Sequence, residues 1–261
     1  MPFTNIIYEK KDRICIITLN RPDQLNALDP TTYNELYQAT LDIEADPDIR
    51  VVIFKGNGRA FCAGADLKAM QPSLQKASLA VKYLENCHRT YNAIENLNVP
   101  TIAQVHGMCL AGGIELIEAC DIIIAAETAR IGDQHSARGL VPGGGSTQRL
   151  IRQMNFRKAK EILLTGEWMS GTEAYQWGLI NKVVPEDQLE SAVMEMAQKL
   201  AKQSPMASKT IKWLVNKGIQ CDLATALRLE IASTAQHVFT DDFREGIQSF
   251  LERRKPEFKG S

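Results

Sequence analysis

The sequence predicts an α/β core followed by an all-helical tail, and three observations carry that reading. Short β-rich apolar runs alternate with amphipathic helical stretches through most of the chain. Glycine-rich turns follow several of the apolar runs, where a strand hands over to a helix. From about Glu186 onward the pattern is wholly helical. Taken alone, the alternation suggests a doubly wound sheet.

The elements follow in order. Residues 14–19 and 51–55 read as strands, with a helix over 31–45 between them and the turn Gly56-Asn57-Gly58 after the second. A long helix covers 79–97. A buried strand over 101–105 then runs into His106-Gly107-Met108-Cys109-Leu110-Ala111-Gly112-Gly113 and a helix over 115–120. Another strand over 121–125 and a helix over 157–164 complete the core. Helices over 189–203, 206–217, 223–237 and 242–253 form a tail that is too small for a core of its own.

Composition removes several classes of function. A net charge of −1 gives no electrostatic case for nucleic acid or an anionic membrane surface. Six cysteines (Cys15, Cys62, Cys87, Cys109, Cys120 and Cys221) form no CxxC pair, so free thiols in a reducing compartment are expected. Four scattered histidines make no metal-ligand cluster. The first residues lack a signal-peptide core and no apolar run reaches membrane-spanning length, so a cytoplasmic enzyme is expected.

The segment 105–150 is the most informative. Paired glycines between strand and helix let a ligand approach the backbone and leave amide hydrogens free at a positive helix end. Gly107 to Gly112 reads GxxxxG, not the GxGxxG of a dinucleotide site, and Gly113-Ile114 stands where a P-loop needs Lys-Ser/Thr. The amides suit one oxygen better than a polyphosphate. Glycines kept only for tight packing at a helix start are the alternative. A second donor candidate lies in Arg59-Ala60-Phe61-Cys62-Ala63-Gly64-Ala65-Asp66-Leu67, after the strand at 51–55.

These motifs carry a resemblance. FCAGADLKAM, HGMCLAGGIELIEACD and GLVPGGGSTQRL are similar to motifs of the enoyl-CoA hydratase/isomerase (crotonase) superfamily. LNRPDQLNAL, LTGEWMSGTEAYQWGLINKVVP and FTDDFREGIQSFLERRKPEFKG extend the resemblance over nearly the whole chain, in order. It implies a spiral of ββα turns over residues 1–195 with the acyl-CoA site, and a helical C-terminal region over 196–261 that builds a homotrimer or homohexamer. It also implies an acyl-CoA thioester substrate, with coenzyme A as part of that substrate and no separate cofactor or metal.

The resemblance assigns roles residue by residue. The Ala65 and Gly112 amides form an oxyanion hole that polarises the thioester carbonyl, each donor typically worth about 3 kcal/mol in the transition state. Glu115, in the first helical turn, positions or deprotonates water; capping the helix is its plainer role. Glu118, one turn on, reads as a structural polar contact. Gln24, Leu25 and Ala27 in one turn, with Ala63, Asp66, Leu67, Met70 and Gly113, are expected to line the coenzyme A and acyl path. Lys255, Phe258 and Lys259 in the tail are candidates for its phosphate end, with a solvated charged tail as the alternative.

One position departs from the family. His135 stands where hydratases of this family usually carry a second glutamate. Imidazole titrates near pH 6.5, so it can give or take a proton in that place. Asp133 supplies a further carboxylate, and strand alternation would turn both side chains the same way if the segment were extended. The expected activity is hydration of an enoyl-CoA, or the reverse dehydration, through a Glu115–His135 acid–base pair. Single-base double-bond isomerisation and thioester hydrolysis are the alternatives. A non-enzymatic acyl-CoA- or RNA-binding relative is disfavoured by the near-neutral charge and by Glu115.

Overall fold

The computed structural model describes residues 3–261. Among the described residues ten strands fall into two sheets. In the larger sheet β1 (Ile6–Lys11) pairs antiparallel with β2 (Ile14–Leu19), and β3 (Val51–Gly56) continues in parallel. β4 (Ala60–Cys62) leaves for the smaller sheet; β5 (Thr101–Val105) returns beside β3, and β6 (Met108–Leu110) leaves again. The same step recurs with β7 (Ile122–Ala126) in the large sheet and β8 (Arg130–Gly132) in the small one. β9 (Met169–Ser170) closes the small sheet and β10 (Lys182–Val184) the large one, giving orders β1-β2-β3-β5-β7-β10 and β4-β6-β8-β9.

This is the spiral implied by the resemblance. It corrects the doubly wound sheet suggested by pattern alone. Each turn contributes one long strand, one short strand and a helix, so strands that look isolated in sequence are stacked in space. The helices between them are α1 (Pro30–Ala45), α2 (Leu67–Met70), α3 (Ala77–Glu95), α4 (Gly112–Glu118), α5 (Ser146–Gln153), α6 (Phe156–Thr165) and α7 (Gly171–Gln176). β3, β5 and β7 are buried nearly throughout, as strands covered on both faces must be.

After β10 come α8 (Leu189–Ala201), α9 (Pro205–Gly218), α10 (Leu223–His237) and α11 (Asp241–Leu251). Helix α8 packs across β2, β3, β5 and β7 and buries Leu189, Val193 and Ala197, so the division expected at residue 195 falls inside it. The last three helices bury little: Ile211, Val215, Ile231, Ile247 and Phe250 are all exposed. The chain end folds back. Phe258 accepts a hydrogen bond from the Arg50 guanidinium at 2.7 Å, and the Lys259 amide donates to Asp242 at 3.0 Å. Five of the six cysteines are buried as free thiols and Cys221 is exposed. No helix among the described residues is long and apolar enough to cross a membrane.

Candidate active site

Two loops and one helix end make the site. Leu28 and Ala65 form a parallel bridge, in which Leu28 N donates to Gly64 O at 2.8 Å and Asp66 N donates to Leu28 O at 2.9 Å. That pairing uses the groups on either side of Ala65 and turns the Ala65 N–H the other way. Gly112 opens α4, where no preceding turn offers an acceptor to its N–H. The two meet: a Cβ built on Gly112 would lie 3.3 Å from the Ala65 nitrogen. Gly64, at φ +99°, makes the approach possible, since a Cβ there would stand 2.9 Å from Ala111 Cβ. Ala111, just before α4, adopts φ 47° and ψ −114°, a conformation that L-residues with a side chain rarely hold.

The turn expected to meet the ligand is joined to the same place. Pro22–Gln24 form a 3-10 turn, and Leu25 and Asn26 follow with left-handed backbones at φ 52° and 57°. Ala63 N donates to Leu25 O at 2.9 Å, which sets Gln24, Leu25 and Ala27 beside Ala63 and Ala65. Sequence reasoning missed what anchors this turn. The buried Asn26 side chain donates to Asn57 O at 2.9 Å and Ala60 O at 2.7 Å, while its oxygen accepts from Arg21 N at 2.9 Å. Asp66 is occupied: it caps α2 through Ala69 N at 3.1 Å and pairs with the Arg21 guanidinium at 3.0 Å. Leu67 is exposed, Met70 packs on the core, and Gly113 lies buried against Cys62 rather than lining the amide pair.

Glu115 sits one turn from the Gly112 amide and is only 4% exposed. Its Oε1 accepts from the Gly144 N–H at 2.5 Å. That approach requires a glycine, because a Cβ at residue 144 would meet the Tyr91 ring at 2.5 Å and the Glu115 carboxylate. Burial lifts the Glu115 carboxyl above its ordinary value; the positive His135 ring and the Gly144 N–H pull it part of the way back, while Asp133 adds to the lift. Burial opposes charge on His135, but the hydrogen bond and charge of Asp133 and the charge of Glu115 outweigh it, so the ring holds its proton above the ordinary imidazole value. The two proposed acid–base groups therefore stand close enough to shift each other.

The contact between Asp133 and His135 does not arise from strand alternation. β8 ends at Gly132, Gln134 takes φ 58°, and His135 is helical at the start of a 3-10 turn over Ser136–Arg138. The chain turns, and His135 Nδ1 meets Asp133 Oδ1 at 2.9 Å. Glu118 has a different neighbourhood. It is 1% exposed and shares the Ser146 hydroxyl between its two oxygens at 2.9 and 3.1 Å, and burial raises it far above the ordinary carboxylate value.

Two further residues, Tyr91 and Arg149, were not anticipated. The Tyr91 hydroxyl donates to Gly112 O at 2.8 Å and lies 3.1 Å from the Tyr33 hydroxyl, fixing the peptide that follows the Gly112 amide. Arg149 donates to Gly144 O at 3.0 Å and pairs with Glu95 at 2.8 Å, fixing the peptide that follows the Gly144 N–H. Arg149 belongs to the GGGSTQRL motif, but nothing in its spacing says where its side chain goes.

The enoyl-CoA hydratase/isomerase family model matches residues 9–261. The chain belongs to this family. It is 36% identical over 258 residues to the short-chain-enoyl-CoA hydratase of Clostridium acetobutylicum, covering 98% of each protein. It is 35% identical over 259 residues to the crotonyl-CoA hydratase of Syntrophomonas wolfei, covering 99% of each. A crystal structure of an enoyl-CoA hydratase from Bacillus anthracis superposes with a TM-score of 0.94 at 37% identity, covering 99% of this chain and 100% of that one. As a member of the enoyl-CoA hydratase/isomerase family with such relatives, the chain is an enzyme of the hydratase/lyase type.

Proposed function

We propose that the enzyme adds water reversibly across the double bond of a 2-enoyl-CoA thioester. The Ala65 and Gly112 amides receive the thioester oxygen as it gains enolate charge. Glu115, as carboxylate, takes a proton from water while the water oxygen bonds to the β-carbon. His135, as imidazolium, gives its proton to the α-carbon, and dehydration is the same path reversed. The observation that carries this reading is the placement of Glu115, held by the Gly144 N–H at 2.5 Å and coupled to His135, one helical turn from the amide pair.

Coenzyme A enters as part of the substrate, along the 24–27 turn and the 63–67 segment. The exposed apolar side chains of α9, α10 and α11 are what a contact between subunits would cover, and a head-to-tail contact that closes after three copies gives the trimer, alone or as a stacked pair. The test is mass spectrometry of 2-enoyl- and 3-enoyl-CoA thioesters after incubation with the enzyme. Gain of one water by a 2-enoyl-CoA is expected. Conversion of a 3-enoyl-CoA without mass gain, and no hydration of any 2-enoyl-CoA, would replace this reading with single-base isomerisation.

A further inference from the structure

Asp133 is fully buried, and all its hydrogen bonds go to one residue. Its Oδ1 accepts from His135 Nδ1 at 2.9 Å and from the His135 backbone N–H at 3.3 Å. Its Oδ2 is buried with no hydrogen-bond partner among the described residues. Leaving one oxygen of a buried carboxylate unsatisfied is unfavourable, and the ion pair that Asp133 makes is with the His135 ring when that ring is protonated. A carboxylate in that condition needs a reason other than the fold.

We infer that Asp133 is a positioning residue for the reaction: it holds His135 with Nδ1 as the donor and keeps Nε2 as the nitrogen that exchanges a proton with substrate. The inference rests on the reading of His135 as the proton carrier. In the hydration direction the Nε2–H bond breaks as the bond from hydrogen to the substrate α-carbon forms. The neutral ring that remains keeps its proton on Nδ1, shared with Asp133, so the carboxylate stabilises the charged ring before transfer and fixes the tautomer after it. A glutamate in place of His135 would need no such partner, because its two oxygens are equivalent. The histidine therefore brings a requirement that the usual pair of carboxylates does not have.

Charges facing the ring come from Asp133 itself and from Glu115 on α4; Glu118, one turn further along α4, couples to both of those carboxyls and to Arg149 on α5. Removing the Asp133 charge leaves these groups in place, and the lift it adds to Glu115 bears on the acid limb of the profile, apart from the alkaline limb set by His135. Asp133→Asn keeps shape while deleting one negative charge. The expected result is a fall in kcat of about tenfold or more with KM nearly unchanged. The alkaline limb of the rate profile should move to lower pH, since the imidazolium loses its nearest anion. A purely structural aspartate would lower stability and leave that limb where it was.

A second measurement needs no variant of Asp133. The chain has four histidines, so nitrogen NMR of the labelled parent enzyme can be assigned with His135→Gln. The neutral form of His135 should carry its proton on Nδ1. Protonation on Nε2 would overturn the inference, as would an Asp133→Asn enzyme with parent-like kcat and an unmoved limb. A fully active His135→Gln enzyme would instead overturn the proton-carrier reading beneath it. A slow His135→Gln beside a parent-like Asp133→Asn would overturn the Asp133 role alone.

Discussion

Helix α4 carries two glutamates three residues apart, both almost completely buried, and their surroundings differ. Glu115 receives a backbone N–H, is coupled to a histidine and stands near the Ala65 and Gly112 amides. Glu118 is 1% exposed, and its side chain meets the neutral Ser146 hydroxyl where Glu115 meets a backbone N–H. The helix supplies burial to both. What separates them is the loop opposite: Gly144 at one carboxyl and Ser146 at the other. A raised proton affinity is therefore poor evidence of catalysis unless a second titrating group and a path to substrate accompany it.

The sharpest way to break this comparison is to change each glutamate to glutamine. Glu115→Gln should lower kcat by about 10²- to 10⁴-fold, the usual worth of a general acid–base group, while Glu118→Gln stays within a small factor of the parent. Steady-state hydration rates on a short 2-enoyl-CoA decide it. Equal losses at both positions would erase the distinction.

A gentler test is the pH profile of kcat/KM. The working form proposed here has Glu115 ionised and His135 charged. Both groups are shifted upward, Glu115 by burial and His135 by its carboxylate neighbours in spite of burial. Activity should thus fall on the acid side above the ordinary carboxylate range, and on the alkaline side above the ordinary imidazole value of about 6.5. The two apparent values belong to the coupled pair. A profile that is flat through the imidazole region would remove His135 from the chemistry.

The smallest expected effect concerns stability. Glu118 binds its proton more tightly folded than unfolded, so above the unfolded carboxylate value the folded state holds more protons and stability declines as pH rises. Glu118→Gln is neutral at every pH and removes that slope. Melting temperatures of variant and parent should diverge in the variant's favour between pH 5 and pH 8. A difference that does not change with pH would show that Glu118 is not held protonated.

The legible parts of the chain were those with length or chemistry behind them. β2, β3, β5 and β7 have five or six residues each, enough to show an apolar run, and they form the middle of the large sheet. β4, β6 and β8 have three residues each, too few for alternation to register, so the second sheet and the spiral could not be read from periodicity. Gly112, Glu115 and Ala65 lie in local motifs, and the fold brings them together. Asp133 and His135 were linked by an alternation argument that fails at Gln134, whose left-handed backbone makes the contact by a turn. Arg149 and Tyr91 act through distant partners, which single-chain spacing does not encode.

Ala111 has a wider consequence. A non-glycine residue at φ 47° and ψ −114° is held at a cost of about 1–3 kcal/mol, sustained by the packing around it. The peptide it begins carries the Gly112 N–H. In the proposed reaction that peptide is already turned before the thioester arrives, so the dipole need not swing when charge develops on the carbonyl oxygen. The reorganisation energy that mobile water would demand at the barrier top is replaced by a constant tension in the resting backbone.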